Sequence, residues 1–185
     1  GPAQRVGLAG QVAALRRGAT PPGRDTRTRH PTAAFKRPES VLLVIATFAG
    51  EFLLLRRTRP VGFWQSVTGS LEPGENPRQA ARRELWEETG LSLPEAALLD
   101  LNHKERFPIL PAWRERYAPQ VHDNLEHWFA LVLPLRRLIR LNPSEHQEAC
   151  WLPAPGATGL ARSWTNRQAI RLLASLLAGP PAAWR

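Results

Sequence analysis

The sequence predicts an α/β domain, and three observations lead there. Short apolar runs at Val41–Phe48 and Phe52–Arg56 are separated by Ala49-Gly50-Glu51, the pattern of two strands joined by a glycine-containing turn. A capped helix starts at Asn76. A second one, Asn166–Leu177, puts apolar residues at 169, 170, 172, 173, 176 and 177, one buried face. The chain has 185 residues, 43% of them hydrophobic, which suits one domain that holds its core without staples.

Taken in order, residues 1–34 are rich in Gly, Pro, Thr and Arg, with a weak helical hint at Leu8–Arg17. They predict a basic, disordered tail. The folded domain is expected over 35–178, with a short C-terminal tail at 179–185. After the first two strands, Phe63–Thr68 reads as a further short strand. The loop from Gly69 to Glu75 carries Gly69, Pro73 and Gly74. Asn76 is the expected N-cap, Pro77 takes the first helical position, and Gln79 completes a capping box. That helix should end at Thr89, with Gly90 as its C′ residue. Strands are expected near Leu98–Arg106, Glu126–Leu133 and Ala149–Leu152. The proline-bearing stretch 107–120 reads as a loop. Thr165 and Gln168 form the expected capping box of the last helix.

The formal charge is +9. It gathers in residues 1–37, where Arg5, Arg16, Arg17, Arg24, Arg27, Arg29, Lys36 and Arg37 face only Asp25. The body is close to neutral, so no nucleic-acid groove is expected across it. The tail reads as a solvated extension; its composition also fits an organellar transit peptide. No apolar run is long enough for a membrane span, and no secretory signal is visible. Cys150 stands alone, which excludes an internal disulfide and points to a reducing, cytoplasmic setting.

The chemistry lies in Gly69–Leu91. Glu84, Glu87 and Glu88 stand at i, i+3 and i+4 on one helix, where like charges repel by some tenths of a kcal/mol per pair. Such crowding calls for a cation, and hard divalent ions take carboxylate oxygens together with substrate phosphates. The glycine-bearing loop lets backbone approach the ion and phosphates closely. Arg83 reaches Glu87 at i+4. A solvated acidic helix face would have to explain Gly69, Glu75, Arg83 and Gly90 by accident.

Gly69, Glu75, Arg83, Glu84, Leu85, Glu87, Glu88, Gly90 and Leu91 meet every specified position of the pattern G-x5-E-x7-R-E-U-x-E-E-x-G-U, and the segment resembles the Nudix box. A match of that kind recurs by chance about once in 10^8 starts. The resemblance implies a Nudix hydrolase, an α/β/α sandwich with a mixed sheet, cleaving a diphosphate linkage with Mg2+ or Mn2+. It implies Glu84 and Glu88 as main metal ligands, with Arg83 orienting the carboxylates and Glu75 supporting the loop. Glu145, in Ser144-Glu145-His146, is the candidate further carboxylate, ligating metal and touching substrate. Glu87 and Glu145 both stay open as the general base.

The flanks, Lys36-Arg37-Pro38, Phe63–Gly69, Arg116–Pro119, Ser144–His146 and Ser163–Ile170, resemble the bacterial branch of that family acting on dihydroneopterin triphosphate. That likeness spans about residues 35–177 and leaves out the tail. It implies substrate contacts at Lys36, Arg57, Thr68, Phe107, Pro108, Ile109, Leu110, Glu145 and Ser163. Lys36 and Arg57 offer charge to a triphosphate. Ser163 stands beside a helix N-terminus, and Phe107 and Ile109 offer apolar surface, although Ile109 fits a core position as well. Trp64 and Trp164 read as packing anchors. His103, His122, His127 and His146 read as structural or surface groups. The expected partner is a small-molecule triphosphate, with no specific nucleic acid and no membrane. Purine nucleotide hydrolysis and RNA 5′-end hydrolysis share the box and remain alternatives. A non-catalytic module is disfavoured by the complete set of glutamates.

Overall fold

The computed structural model describes residues 35–179. The tail expected at 1–34 and the segment after Gly179 lie outside the described residues. Seven strands form one mixed sheet: β1 Glu39–Thr47, β2 Glu51–Arg57, β3 Trp64–Gln65, β4 Val67–Ser70, β5 Leu99–Pro108, β6 Asp123–Leu133 and β7 His146–Pro153. Among the described residues three α-helices pack on it: α1 Pro77–Thr89, α2 Ala154–Leu160 and α3 Trp164–Ala178.

β1 is the axis. It runs parallel to β6 along its whole length, from Glu39 beside Leu125 to Thr47 beside Leu133. Its other edge is shared. The first half pairs with β4, Ser40 to Leu43 against Ser70 to Val67, and the far end meets β2 at Ala46 and Phe52. β7 adds to β2, and β5 to β6. The sheet therefore divides along one edge of β1, with β4 on one branch and β2 on the other.

A strand covered on both faces reads as an unbroken apolar run, and Val41–Ala46 is buried throughout. The two-residue period sorts its side chains. Val41, Leu43 and Ile45 join Leu53, Leu55, Phe129 and Leu131 beneath Ala81 and Leu85 of α1. Leu42, Val44 and Ala46 join Phe52, Leu54 and Trp128 beneath Ala157 of α2 and Ile170 and Leu173 of α3. Helices on both faces give the expected α/β/α sandwich.

Local chemistry set some elements and tertiary contact set others. The N-cap of α1 is Asn76: its side chain accepts from the Gln79 N–H at 2.9 Å, and the Gln79 side chain accepts from the Asn76 N–H at 3.0 Å. Gly90 ends the helix at φ 71°, a left-handed conformation that glycine adopts without strain, and its N–H returns to the Trp86 carbonyl. The last helix starts earlier than expected. Its N-cap is Ser163, not Thr165, and Ser163 Oγ accepts from the Asn166 N–H at 3.1 Å. Thr165 is buried, its hydroxyl 3.4 Å from Ser163 Oγ. The expected strand Phe63–Thr68 is broken at Ser66 by the Asn166 side chain, which accepts from the Ser66 N–H and donates to its hydroxyl, both at 2.8 Å. The 107–120 stretch is not wholly loop. Phe107 and Pro108 finish β5, and Pro111–Arg116 forms a 3-10 helix. α2 was not expected from the sequence. Trp164 is largely exposed, unlike the packing anchor predicted, whereas Trp64 does pack on the core.

Candidate active site

α1 carries the acidic side chains, and its orientation divides them. Glu84 and Glu88, one turn apart, are 8% and 1% exposed, whereas Glu87 faces solvent. The shared face expected for the three glutamates is therefore two buried carboxylates and one exposed neighbour. Arg83 ties the set together. Its Nε and Nη2 hold both oxygens of Glu75 at 2.7 and 2.9 Å. Nη1 reaches Glu84 at 2.6 Å and Glu87 at 3.0 Å, and Nη2 also donates to the Ser70 carbonyl at 2.9 Å. A planar guanidinium suits this forked pattern, which an ammonium would not fill. Glu75 in turn accepts from the Glu72 N–H at 2.8 Å, closing the loop before α1. Its pKa lies below the ordinary value, chiefly because Arg83 hydrogen-bonds it.

The loop strand approaches from the other side. A Cβ on Gly69 would lie 1.8 Å from Glu84 Oε1, so only glycine leaves that carboxylate its place. The Thr68 N–H donates to Glu88 Oε2 at 3.3 Å, and the Thr68 hydroxyl accepts from Gln65 at 3.1 Å.

The third component comes from the start of β7. Glu145 and His146 meet Glu88 so that one ligand atom from each lies within 4.8 Å of the others. His146 Nε2 stands 3.2 Å from Glu88 Oε1 without a hydrogen-bond partner among the described residues. The Thr58 N–H donates to the Glu145 carbonyl at 2.8 Å, and Asn142 Nδ2 donates to Glu145 Oε1 at 3.2 Å, so the turn is fixed from two sides. His146 was expected to be structural or at the surface. It is buried at the carboxylate cluster, a placement that only the β2–β7 pairing creates.

The electrostatics favour a cation here. Burial, reinforced by Glu88 and Glu87, pushes Glu84 up to about 7 against the pull of Arg83. Burial and Glu145 hold Glu88 well above the carboxylate range, although the Thr68 N–H and Arg57 oppose them. Burial and Arg57 hold His146 below its usual value. Carboxylates that resist ionisation together, beside an unpartnered imidazole nitrogen, form a donor set that a divalent ion completes. The ligand atoms that come together are those of Glu88, Glu145 and His146, a set that fits a hard divalent ion.

The remaining predicted contacts lie on other elements. Arg57 ends β2 and acts electrostatically on both Glu88 and His146. Lys36 is exposed before β1, and its N–H donates to the Arg116 carbonyl at 2.8 Å. Phe107 is half-buried, Pro108 and Leu110 are exposed, and Ile109 is buried with its N–H on the His122 carbonyl. Ile109 thus belongs to the core, and Phe107 and Leu110 keep free surface. Ser163 spends its hydroxyl on capping α3.

This arrangement is that of a Nudix hydrolase: the NUDIX domain family matches residues 36–173, and the chain belongs to it. The chain is similar to the dihydroneopterin triphosphate diphosphatase of Escherichia coli K12, 45% identical over 139 residues, 74% of this chain and 91% of the relative. It is 40% identical over 140 residues to the enzyme of the same name from Haemophilus influenzae, covering 74% of this chain and 87% of that one. The solved structure of the E. coli dihydroneopterin triphosphate pyrophosphohydrolase superposes with a TM-score of 0.71 at 43% identity, covering 76% of this chain and 97% of that one. Hydrolases of this family use a divalent metal, in keeping with the cluster of Glu88, Glu145 and His146. No helix among the described residues is long and apolar enough to cross a membrane.

Proposed function

We propose that the chain hydrolyses dihydroneopterin triphosphate to dihydroneopterin monophosphate and pyrophosphate, with Mg2+ as its metal, in the cytoplasm. The observation that carries this reading is the meeting of Glu88 with Glu145 beside Glu84 and Gly69, in a chain 45% identical to an enzyme named for that substrate. Glu84, Glu88 and Glu145 are the residues that would hold the ion. When bound, it neutralises charge and polarises phosphoryl oxygens.

The protein's own groups do the rest. Arg83 fixes Glu75 and Glu84 so that the carboxylates keep their places as charge develops. Water attacks phosphorus in line, the bond between the α- and β-phosphates breaks, and pyrophosphate leaves with the bridging oxygen. Of the two candidate bases, Glu145 is better placed to take the water's proton, since Arg83 already engages Glu87. Lys36 and Arg57 supply charge to the triphosphate. Thr68 lies against Glu88, and Ser163 sets the N-terminus of α3, where anions are favoured. Phe107, Pro108 and Leu110 offer surface to the ring, backed by Ile109.

The test is a product assay with Mg2+ and matched concentrations of dihydroneopterin triphosphate, dATP, 8-oxo-dATP, 8-oxo-dGTP and 5′-triphosphate RNA. The expected result is the highest kcat/KM for the pterin, with monophosphate and pyrophosphate in equal amounts. Equal or better turnover of a purine nucleotide or of RNA overturns the assignment. Glu88→Gln, which keeps shape and removes charge, should lower kcat at least about 10^2-fold on every substrate.

A further inference from the structure

Arg37 lies between Lys36 and Pro38, ahead of β1, and the proposed reaction leaves it unused. The segment that carries it is fixed by its backbone. The Lys36 N–H donates to the Arg116 carbonyl at 2.8 Å, and the Leu125 N–H donates to the Pro38 carbonyl at 3.0 Å. The Arg37 guanidinium is shared between two partners. Nε and Nη2 donate to Glu39 Oε1 at 3.2 and 2.8 Å, and Nη1 donates to the Glu75 carbonyl at 3.0 Å. The other oxygen of Glu39, Oε2, stands 3.2 Å from Nε2 of His127, a buried residue of β6. Arg37 is thus oriented from the sheet before it reaches the loop.

The same stretch holds both ends of the loop between β4 and α1. Where the loop leaves the sheet, the Leu71 N–H donates to the Glu39 carbonyl at 3.0 Å. Where it enters α1, Arg37 takes the Glu75 carbonyl, one residue before the N-cap Asn76. Between these points the loop is exposed and turns at Gly74, with φ 80°. Among the described residues, Arg37 is the only side chain from outside Gly69–Leu91 that hydrogen-bonds the loop Leu71–Glu75.

Glu75 is therefore gripped twice, by Arg37 at its carbonyl and by Arg83 at both carboxylate oxygens. Three consecutive contacts join Arg37 to Glu84: Arg37 to the Glu75 carbonyl at 3.0 Å, Glu75 Oε1 to Arg83 Nε at 2.7 Å, and Arg83 Nη1 to Glu84 Oε1 at 2.6 Å. Without Arg37 the Glu75 peptide is free to turn. Arg83 follows Glu75, and Glu84 loses the orientation that Arg83 gives it. Outer groups that orient a ligating carboxylate change metal affinity or activity by about 10–100-fold when removed. Arg37 acts through two intervening residues, which places it at the lower end of that range. A lysine would not replace it, because one ammonium lacks the fork that spans Glu39 and Glu75.

We infer that Arg37 is a positioning residue for the metal: oriented by Glu39, it holds Glu75 and, through Arg83, Glu84, and so sets the affinity of the site for its divalent ion. This rests on the reading of Glu84 as a ligand proposed above, and not on the identity of the substrate. The experiment titrates the free enzyme with Mn2+, following the unbound ion by its EPR signal, in wild type, Arg37→Met, Glu84→Gln and the double variant. Methionine keeps part of the apolar stem and removes all three hydrogen bonds. The expected result is a Kd about 10-fold higher for Arg37→Met, with less than about 2-fold further loss when that change is added to Glu84→Gln, since both break one chain. An Arg37→Met Kd at the wild-type value, or a loss that simply adds to that of Glu84→Gln, overturns the inference. Glu84→Gln at the wild-type Kd is a different failure: it removes Glu84 from the ligands, and the inference falls with that reading. Turnover of dihydroneopterin triphosphate at saturating Mg2+ separates positioning from substrate contact. KM should stay within about 2-fold of wild type, and a raised KM with an unchanged Mn2+ Kd makes Arg37 a substrate contact and overturns its assignment. If Arg37→Met does not fold, Arg37→Lys is titrated in its place: a higher Kd supports the inference and an unchanged one overturns it.

Discussion

Glu84 sits between opposing influences. Arg83 at 2.6 Å favours its charged form, while burial, Glu88 and Glu87 disfavour it, and the balance lies at about 7 against 4.5 for an ordinary glutamate. The folded protein therefore holds a proton on Glu84 that the unfolded chain has released between those two values. The sign follows from linkage: this stabilisation is fully present below 4.5 and is lost as pH rises through about 7. His146, held below its usual value, works in the opposite sense, and its stabilisation is lost as pH falls. Glu84→Gln removes the carboxylate, and because Glu84 raises His146, its loss lowers the histidine a little further, a change confined to the acid side of the range. In chelator, wild type should melt progressively lower than Glu84→Gln as pH rises from about 5 to about 8. A difference in Tm that stays constant across that range would remove the ionisation assigned to Glu84.

At the scale of elements, legibility follows the range of the interactions. α1 is readable because its signals are local: Asn76, Pro77 and Gln79 at the start, Gly90 at the end. α3 starts earlier than its sequence suggests because two hydroxyls two residues apart compete for one cap, and Ser163 takes it while Thr165 is buried inside the first turn. The break at Ser66 is invisible in sequence, since Asn166 makes it from a hundred residues away. α2 carries Gly156 and Gly159 and has no side-chain cap, so packing on α3, β7 and β2 decides it. Gly69 belongs to the readable group, and the structure gives it a sharper role than loop flexibility. In an extended strand an alanine would meet no backbone strain, yet its Cβ would fall 1.8 Å from Oε1 and 1.9 Å from Cδ of Glu84. Gly69→Ala should therefore fold and still displace the carboxylate, lowering kcat about 10^2-fold and shrinking the rise in Tm that Mg2+ gives. Melting curves with and without Mg2+ check it: an undiminished rise would show that Glu84 is not a ligand.

The whole molecule supplies what no segment holds. The box places Glu84 and Glu88 on one helix, and the sequence shows that much. Bringing Glu145 and His146 to Glu88 takes the divided edge of β1, with β4 and α1 on one branch and β2 and β7 on the other. A bound divalent ion should therefore couple the two branches, and two amides report on them separately. The Thr68 N–H points at Glu88 Oε2 from β4, and the Thr58 N–H points at the Glu145 carbonyl from the end of β2. If local opening at either place breaks the metal site, saturating Mg2+ should slow hydrogen exchange at both, by about 100-fold when the ion is at 100 times its Kd. α2 and α3, on the opposite face, should change far less. Glu145→Gln then separates joint from independent ligation. Loss of the slowing at both amides together means that all three carboxylates hold one ion. Slowing that persists at Thr68 and vanishes at Thr58 means that α1 binds the ion without β7, and Glu145 is then left as a base alone.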